Sequence, residues 1–421
     1  MPVMYAYDRT MSGASGQVSG DVRRHNLSLV LGHIARTGGS SRIEIAESTG
    51  LTRGAVTALV QVLIDAGWLR ETASVGGTNG RPRTRLELAA DDFALLAVEM
   101  SPDSTRLLAS TIGGDELHSA HVDHRAADAD AVLRSTAALL EDALERLRNL
   151  GRAVADLTVV VLAPVGGSPT RLIADAVPGW RNVDVLGKLR QLVPALNGIH
   201  MQLSTDAPLA AGAELRRREG VRNAIYIKGD SNIGGALIVE GSTVKGEHGF
   251  AGSLGHIAVV PDGEICACGQ RGCLITVAGV PSLLHSALLT NELGSLTPAA
   301  ALEEFAARVL SGDPAASRAW STAAPWIGRA LRILTMAMDP QIIVIGAQWA
   351  PLVDSIRSAF EDGLPSIAAA PEFHVPVVAG VLGDRAGMLG AVETARDRVI
   401  RNPLALLADI PLSRGSSPPG R

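Results

Sequence analysis

"NIGGALIVEGSTVKGEHGFAGSLGHIAVVPDGEICACGQRGCL", residues 232 to 274, decides the reading of this chain, because it holds every cysteine of the 421-residue sequence: Cys266, Cys268 and Cys273. Thiols gathered in one short window are more readily metal ligands than disulfide partners, and an odd count leaves one unpaired in any intramolecular scheme. His256 lies ten positions before Cys266, followed by Cys-x-Cys and four residues to Cys273. One imidazole and three thiolates make a Cys₃His set with no open position, the coordination of a structural zinc site. Soft thiolates favour zinc over hard cations. Gly263, Gly269 and Gly272 let the loop close tightly around an ion. His256, Cys266, Cys268 and Cys273 are the expected metal ligands.

On both sides of this loop the sequence alternates apolar runs with helical segments. "FALLAVEM", "LTVVVLAP", "AIYIKG", "QIIVIGA" and "VPVVAGVLG" have the composition of strands buried on both faces, and "DAVLRSTAALLEDALERLRNL" has helical periodicity. This is an α/β architecture. The length exceeds what one hydrophobic core serves, so more than one domain is expected. With 47% hydrophobic and 19% charged residues, the composition is globular. The longest apolar stretches fall short of the roughly 20 residues of a membrane helix. Residues 1–21 are mixed and Gly/Ser-rich, which reads as a disordered leader rather than a signal peptide, and 411–421 as a disordered tail. A cytoplasmic location is expected. The net charge of −5 says little alone. From Asp21 to Ala90, however, nine arginines face six acidic residues, so the N-terminal part is the basic one.

That part, residues 22–88, reads as a winged helix-turn-helix. Leu27, Val30, Leu31 and Ile34 recur at helical spacing before Gly38-Gly39. Ser41-x-x-Glu44 is a capping box that opens a second helix ending at Gly50. Thr52 caps a third helix with Val56, Leu59, Val60, Leu63 and Ile64 on one face and Arg53, Gly54 and Thr57 on the other. Two short helices joined by a tight turn, the second exposing small and polar residues near its start, place a recognition helix in the DNA major groove. "WLRET" and "TRLEL" alternate as two strands around the Gly-rich tip "SVGGTNGRPR". Arg81 and Arg83, with Arg85, sit where phosphates would be neutralised, and Pro82 keeps the tip extended. Ser41, Arg42, Thr52, Arg53, Gly54, Thr57, Arg81 and Arg83 are the expected DNA-facing residues. A homodimer on a two-fold operator of double-stranded DNA is expected, with a tetramer as the larger option.

Two modules in this order resemble the ROK family of repressors and sugar kinases. Residues 232–274 resemble its signature, and "GLTRGAVTALVQVLIDAGWLRE…GRP" resembles the DNA-binding domain of its repressor branch. The resemblance implies a two-lobed actin/hexokinase-like sensor domain at 91–410 after the winged helix-turn-helix, with the same four zinc ligands.

The resemblance also shows what has changed. Family kinases carry D-x-G-G-T-K at a phosphate-binding turn. Here "VEMSPDSTRL" puts Glu99 for the Asp, Ser101-Pro102 for the glycines and Asp103 for the Thr. The second phosphate loop survives partly as "SNIGGA". Asp206 matches the family's catalytic base, which would remove a proton from a sugar hydroxyl. Without a phosphate cradle it is vestigial, since phosphoryl transfer rests on positioning and neutralising the moving group. The family's sugar-gripping Asn and two Glu read Thr205, Ser253 and Ile275, and His256 is left to the metal. Each lost charge-assisted hydrogen bond removes on the order of 1.5–3 kcal/mol. The expected protein is a DNA-binding transcriptional regulator, of the repressor kind, with a non-catalytic effector domain. Its residues Thr205, Asp206, Ser253, His256 and Ile275 form a degenerate sugar site, so binding of a sugar effector is weak or altered. A regulator answering to a protein partner or to its own abundance is the alternative, and a sugar kinase the remaining one.

Overall fold

The computed structural model describes residues 19–72, 84–89, 91–124, 128–173, 180–362 and 374–403. The expected wing tip with Arg81 and Arg83, residues 1–18 of the expected leader and the tail lie outside them, whereas 19–21, expected to be disordered, form the start of the first helix. The chain divides into two compact units, 1–92 with 397–421, and 93–396.

In the first unit, α1 (Ser19–Thr37), α2 (Arg42–Thr49) and α3 (Arg53–Asp65) surround a core of Leu27, Val30, Leu31, Ile34, Ile45, Val56, Val60 and Leu63. The helix boundaries follow from capping chemistry. The Ser41 hydroxyl accepts from the Glu44 amide, and the Glu44 carboxylate accepts from the Ser41 amide at 2.8 Å. Gly50 ends α2 at φ 71°, a left-handed conformation that favours glycine. The Thr52 hydroxyl then accepts from the Ala55 amide at 3.2 Å and starts α3. Strands β1 (Leu69–Thr72) and β2 (Arg85–Leu88) pair antiparallel, giving the base of the expected wing. The periodicity and the family resemblance place the end of this module at residue 88 and the next domain at 91–410. The structure instead assigns Asp397–Pro403 to the N-terminal unit. There the buried Trp68 donates its indole N–H to the Pro403 carbonyl at 3.0 Å, and a Cβ on Gly32 would touch Ile400. Long-range closure of this kind leaves no mark in local periodicity.

The second unit contains two five-stranded sheets. The first comprises β3 (Phe93–Met100), β4 (Ser104–Thr111), β5 (Glu116–Asp123), β6 (Ala153–Val161) and β9 (Met201–Thr205), and between the last two the chain forms a short hairpin of β7 (Val165–Gly166) and β8 (Arg171–Leu172). The hairpin stands apart, and the sheet order is β5-β4-β3-β6-β9. The second sheet comprises β10 (Ala224–Gly229), β11 (Ile233–Val239), β12 (Ser242–Thr243), β13 (Ile342–Ala347) and β14 (Val377–Ala379), ordered β12-β11-β10-β13-β14. Both sheets run third-second-first-fourth-fifth, with antiparallel pairs on one side of the first strand and parallel pairs on the other. The unit is a repeated α/β design, as the two-lobed expectation requires.

Strand parity positions the chemistry. In β10, Ile225 and Ile227 join a core with Ile343, Ile345, Ile327, Leu331 and Phe360, whereas Tyr226 packs on the opposite face with Ala210, Ala211 and Val344. Lys228 shares the parity of Tyr226 and so faces the helix Asp206–Arg216. In β3, Ala94, Leu96, Val98 and Met100 belong to the core beneath the helix Ala129–Asn149, which leaves Glu99 on the other side. Among the described residues, no helix is long and apolar enough to cross a membrane.

Candidate functional site

On the first unit, α3 exposes Arg53, Gly54, Thr57 and Ala58 beside its buried Val56, Leu59 and Val60. Gly54 has open space where a Cβ would stand, with no atom of the described residues within 4 Å of it. Of the other expected DNA-facing residues, Arg81 and Arg83 lie outside the described residues, and Ser41, Thr52 and Arg42 are engaged within the unit. Ser41 is buried in its capping box, and Thr52 is occupied as a cap. Arg42 is drawn to Glu71 of β1 at 2.7 Å, so its guanidinium ties α2 to the wing base. A second tie was not foreseen. Buried His33 of α1 lies 3.1 Å from the Ser40 hydroxyl and 2.7 Å from that of Ser48, joining α1, the turn and α2.

The four expected metal ligands converge. His256 Nδ1 lies 3.6 Å from Cys266 Sγ, and Cys268 Sγ lies 3.7 Å from Cys273 Sγ; all four ligand atoms fall within 4.8 Å of one another. Four bonds of about 2.0–2.3 Å in a tetrahedron put ligand atoms roughly 3.5–3.8 Å apart, so the spacing fits a zinc ion. The loop is held independently by backbone pairs: the Cys266 amide donates to the Gln270 carbonyl at 2.8 Å, and the Gly272 amide to that of Glu264 at 2.9 Å. Gly272, at φ 69°, lies so close to Val260 that a Cβ would stand 1.9 Å from its carbonyl oxygen. Burial pushes the Cys273 thiol up to about 12, with neighbouring Cys268 and Cys266 adding to the shift. The Gln270 side-chain amide donates to the His256 carbonyl at 2.8 Å and lies 3.7 Å from Cys273 Sγ. It braces the cluster from outside, the position that a second-layer partner would take if a metal were bound.

A cleft of about 580 Å³ opens within the second unit, lined by Glu99, Ser101, Asp103, Arg106, Asp206, Lys228, Asp230 and the segment Gly383–Met388, among others. Of the five residues expected to form a sugar site, Asp206 alone lines it. Thr205 donates its hydroxyl to the Ala163 carbonyl at 3.2 Å, and half-buried Ile275 packs against the core of the second sheet. The floor of the cleft is ionic. Glu99 accepts from Arg106 Nε at 3.0 Å, and Arg106 Nη1 lies 3.4 Å from Asp384. Burial holds the Glu99 carboxyl above the usual carboxylate range, with Arg106 pulling it partly back. Lys228, 7% exposed, forms ion pairs with both Asp206 and Asp230. Its burial works against the charge, but the two carboxylates more than reverse this and keep the ammonium protonated.

Sequence reasoning missed Lys228, which the motif comparison passed over because it precedes the phosphate loop. It also missed Glu214. That carboxylate, 1% exposed, accepts from the Val381 and Leu382 amides at 3.1 and 2.9 Å and from Arg218 at 2.7 Å, fixing the segment that leads into the cleft wall. A charged residue on an otherwise apolar helix face was its available signal.

Comparison with known proteins matches residues 95–398 to the ROK family and residues 28–77 to the MarR family. A glucokinase of Streptomyces coelicolor is 30% identical over 227 residues, covering 50% of this chain and 71% of that protein. The DNA-binding transcriptional dual regulator NagC of Escherichia coli is 24% identical over 376 residues, covering 87% and 91%. Among solved structures, that of a ROK family transcriptional regulator, homolog of the E. coli MLC protein, superposes with a TM-score of 0.74 at 22% identity, covering 92% of this chain and 99% of that one.

Proposed function

The chain belongs to the ROK family, and we propose that it is a DNA-binding transcriptional regulator whose ROK domain senses or assembles but does not catalyse. The observation that carries this reading is the joining of an exposed, capped recognition helix to a kinase-like cleft whose Asp206 is tied to Lys228. A catalytic base must be able to take a proton from a substrate hydroxyl. A carboxylate neutralised by a buried ammonium is poorly suited to that.

In this reading residues 22–88, completed by 397–403, bind a two-fold DNA operator as part of a homodimer or tetramer, and the protein works in the cytoplasm as a repressor. Arg53, Gly54 and Thr57 face base edges, while Arg81 and Arg83 serve phosphates or a minor groove. His256, Cys266, Cys268 and Cys273 hold a structural zinc that fixes the loop and takes no part in chemistry. Small-molecule sensing is weak or altered, because Thr205, Ser253 and Ile275 offer no carboxylate to grip a sugar. Control by a protein partner or by abundance is the second reading, favoured by the same three residues.

Sequencing the DNA recovered with the protein from cells tests the proposal: a recurrent two-fold sequence supports it, and random fragments oppose it. A coupled assay with ATP and glucose or N-acetylglucosamine is expected to show no turnover; a measurable rate would restore the kinase reading.

A further inference from the structure

The two turns that would have to present backbone amides to a phosphate group are already occupied by side chains of this chain. In the first, the Ser101 hydroxyl accepts from the Ser104 amide at 2.9 Å and the Asp103 amide at 3.3 Å, and donates to the Ser104 carbonyl at 3.0 Å. In the second, the Asp230 carboxylate accepts from the Asn232 amide at 3.1 Å while its other oxygen meets the Lys228 ammonium. The lysine stem lies along the loop, with Cε 3.7 Å from where a Cβ of Gly234 would stand. An anion at the loop amide and a cation between two carboxylates are thus both supplied from within.

We infer that Lys228 is the resident cation of the cleft, occupying the place between Asp206 and Asp230 that a divalent ion accompanying a nucleotide would need, so that the cleft is closed to metal-nucleotide and phosphate ligands. The inference rests on the non-catalytic reading above and names the residue that enforces it. Magnesium-type ions bind through one or two carboxylates plus substrate phosphates. Here buried Asp206 and partly buried Asp230 meet one ammonium, and an incoming divalent ion would have to displace it. Removing the ammonium leaves Asp206 and Asp230 facing each other, with Glu99 nearby: like charges that a hard cation would relieve. The cleft that remains open suits uncharged or cationic polar molecules, since Arg106 and Arg385, the arginines that line it, are also paired with carboxylates.

The test uses the full chain with its zinc loop loaded, and Mn²⁺ alone as the probe, because a hard ion does not compete for the thiolates. Free Mn²⁺ is followed by electron paramagnetic resonance. The unaltered protein and Lys228→Arg are expected to show no saturable site. Lys228→Met is expected to gain one site, at least about tenfold tighter than any binding by the unaltered protein, and Lys228→Met with Asp206→Asn to lose it again. Folded Lys228→Met with no gain, or equal binding by the unaltered protein, overturns the inference.

A second measurement needs no variant. The chain has three lysines, and Lys188 and Lys245 are exposed. Under amine acylation read by mass spectrometry, Lys228 should remain unmodified while the other two react, with or without magnesium and ADP. Equal labelling of all three, or a change in Lys228 labelling on adding the nucleotide, overturns the inference whether or not the variant folds. Neither outcome bears on DNA recognition, which stands or falls on the operator experiment.

Discussion

Arg42 and Arg53 open successive helices, yet the structure gives them opposite duties. Arg53 is exposed at the start of α3, whereas Arg42 is bound to Glu71. Arg53→Ala is therefore expected to cost roughly 1–3 kcal/mol of operator binding and to relax specificity, as loss of a base contact does. Arg42→Ala should change stability slightly, in the range of about 0.2–1 kcal/mol for an exposed ion pair, and leave sequence preference intact. Operator titrations against random DNA separate the two. Glu99 provides a residue-scale test by pH. Its folded-state affinity for a proton is raised above the ordinary value of 4.5, chiefly by burial. The native chain then binds that proton more tightly than the unfolded chain, so stability falls as pH rises from 4.5 through the raised value. Glu99→Gln should flatten this part of the stability curve; an unchanged slope between the two proteins would show that Glu99 is not its source.

At the scale of elements, the His256–Cys273 loop, proposed to hold zinc, and the segment after β14 depend on different glue. Cys268→Ser removes an exposed thiolate, and the loop should lose its metal and its fixed shape while the sheets persist. Metal analysis and thermal denaturation together read this: full zinc content in folded Cys268→Ser would contradict the four-ligand site. Glu214→Ala should be harsher. It strips two backbone amides and Arg218 of one buried acceptor, and breaking a buried ion pair by removing one partner costs about 3–5 kcal/mol. A fall in melting temperature with zinc retained is the expected signature. The capping residues show the contrast in what sequence reveals. Ser41, Glu44 and Thr52 act on amides three residues away, so their roles were legible from the chain. Glu214 acts on amides at 381 and 382, and no spacing rule reaches that far.

For the whole molecule, the decisive feature is that the N-terminal unit is closed by the far end of the chain. Val399 is fully buried, and Pro403 receives the Trp68 indole N–H. Val399→Asp places an unpaired charge in that interior and should destabilise the unit on the order of 4 kcal/mol, weakening operator binding while leaving zinc content unchanged. Unaltered operator affinity in the folded variant would show that the C-terminal residues are dispensable to the unit. The apolar strands, the capped helices, the exposed face of α3 and the gathering of His256 with the three cysteines follow from strand composition, helical periodicity and residue spacing, all of which are local in the chain, and so the sequence by itself determined them. What the cleft contains was decided only by tertiary structure. Asp206 reads as a base and Lys228 as an ordinary strand residue until β10 sets the lysine against the first turn of the helix Asp206–Arg216. The strength of an ion pair depends on separation and burial, and a sequence specifies neither for residues brought together by folding.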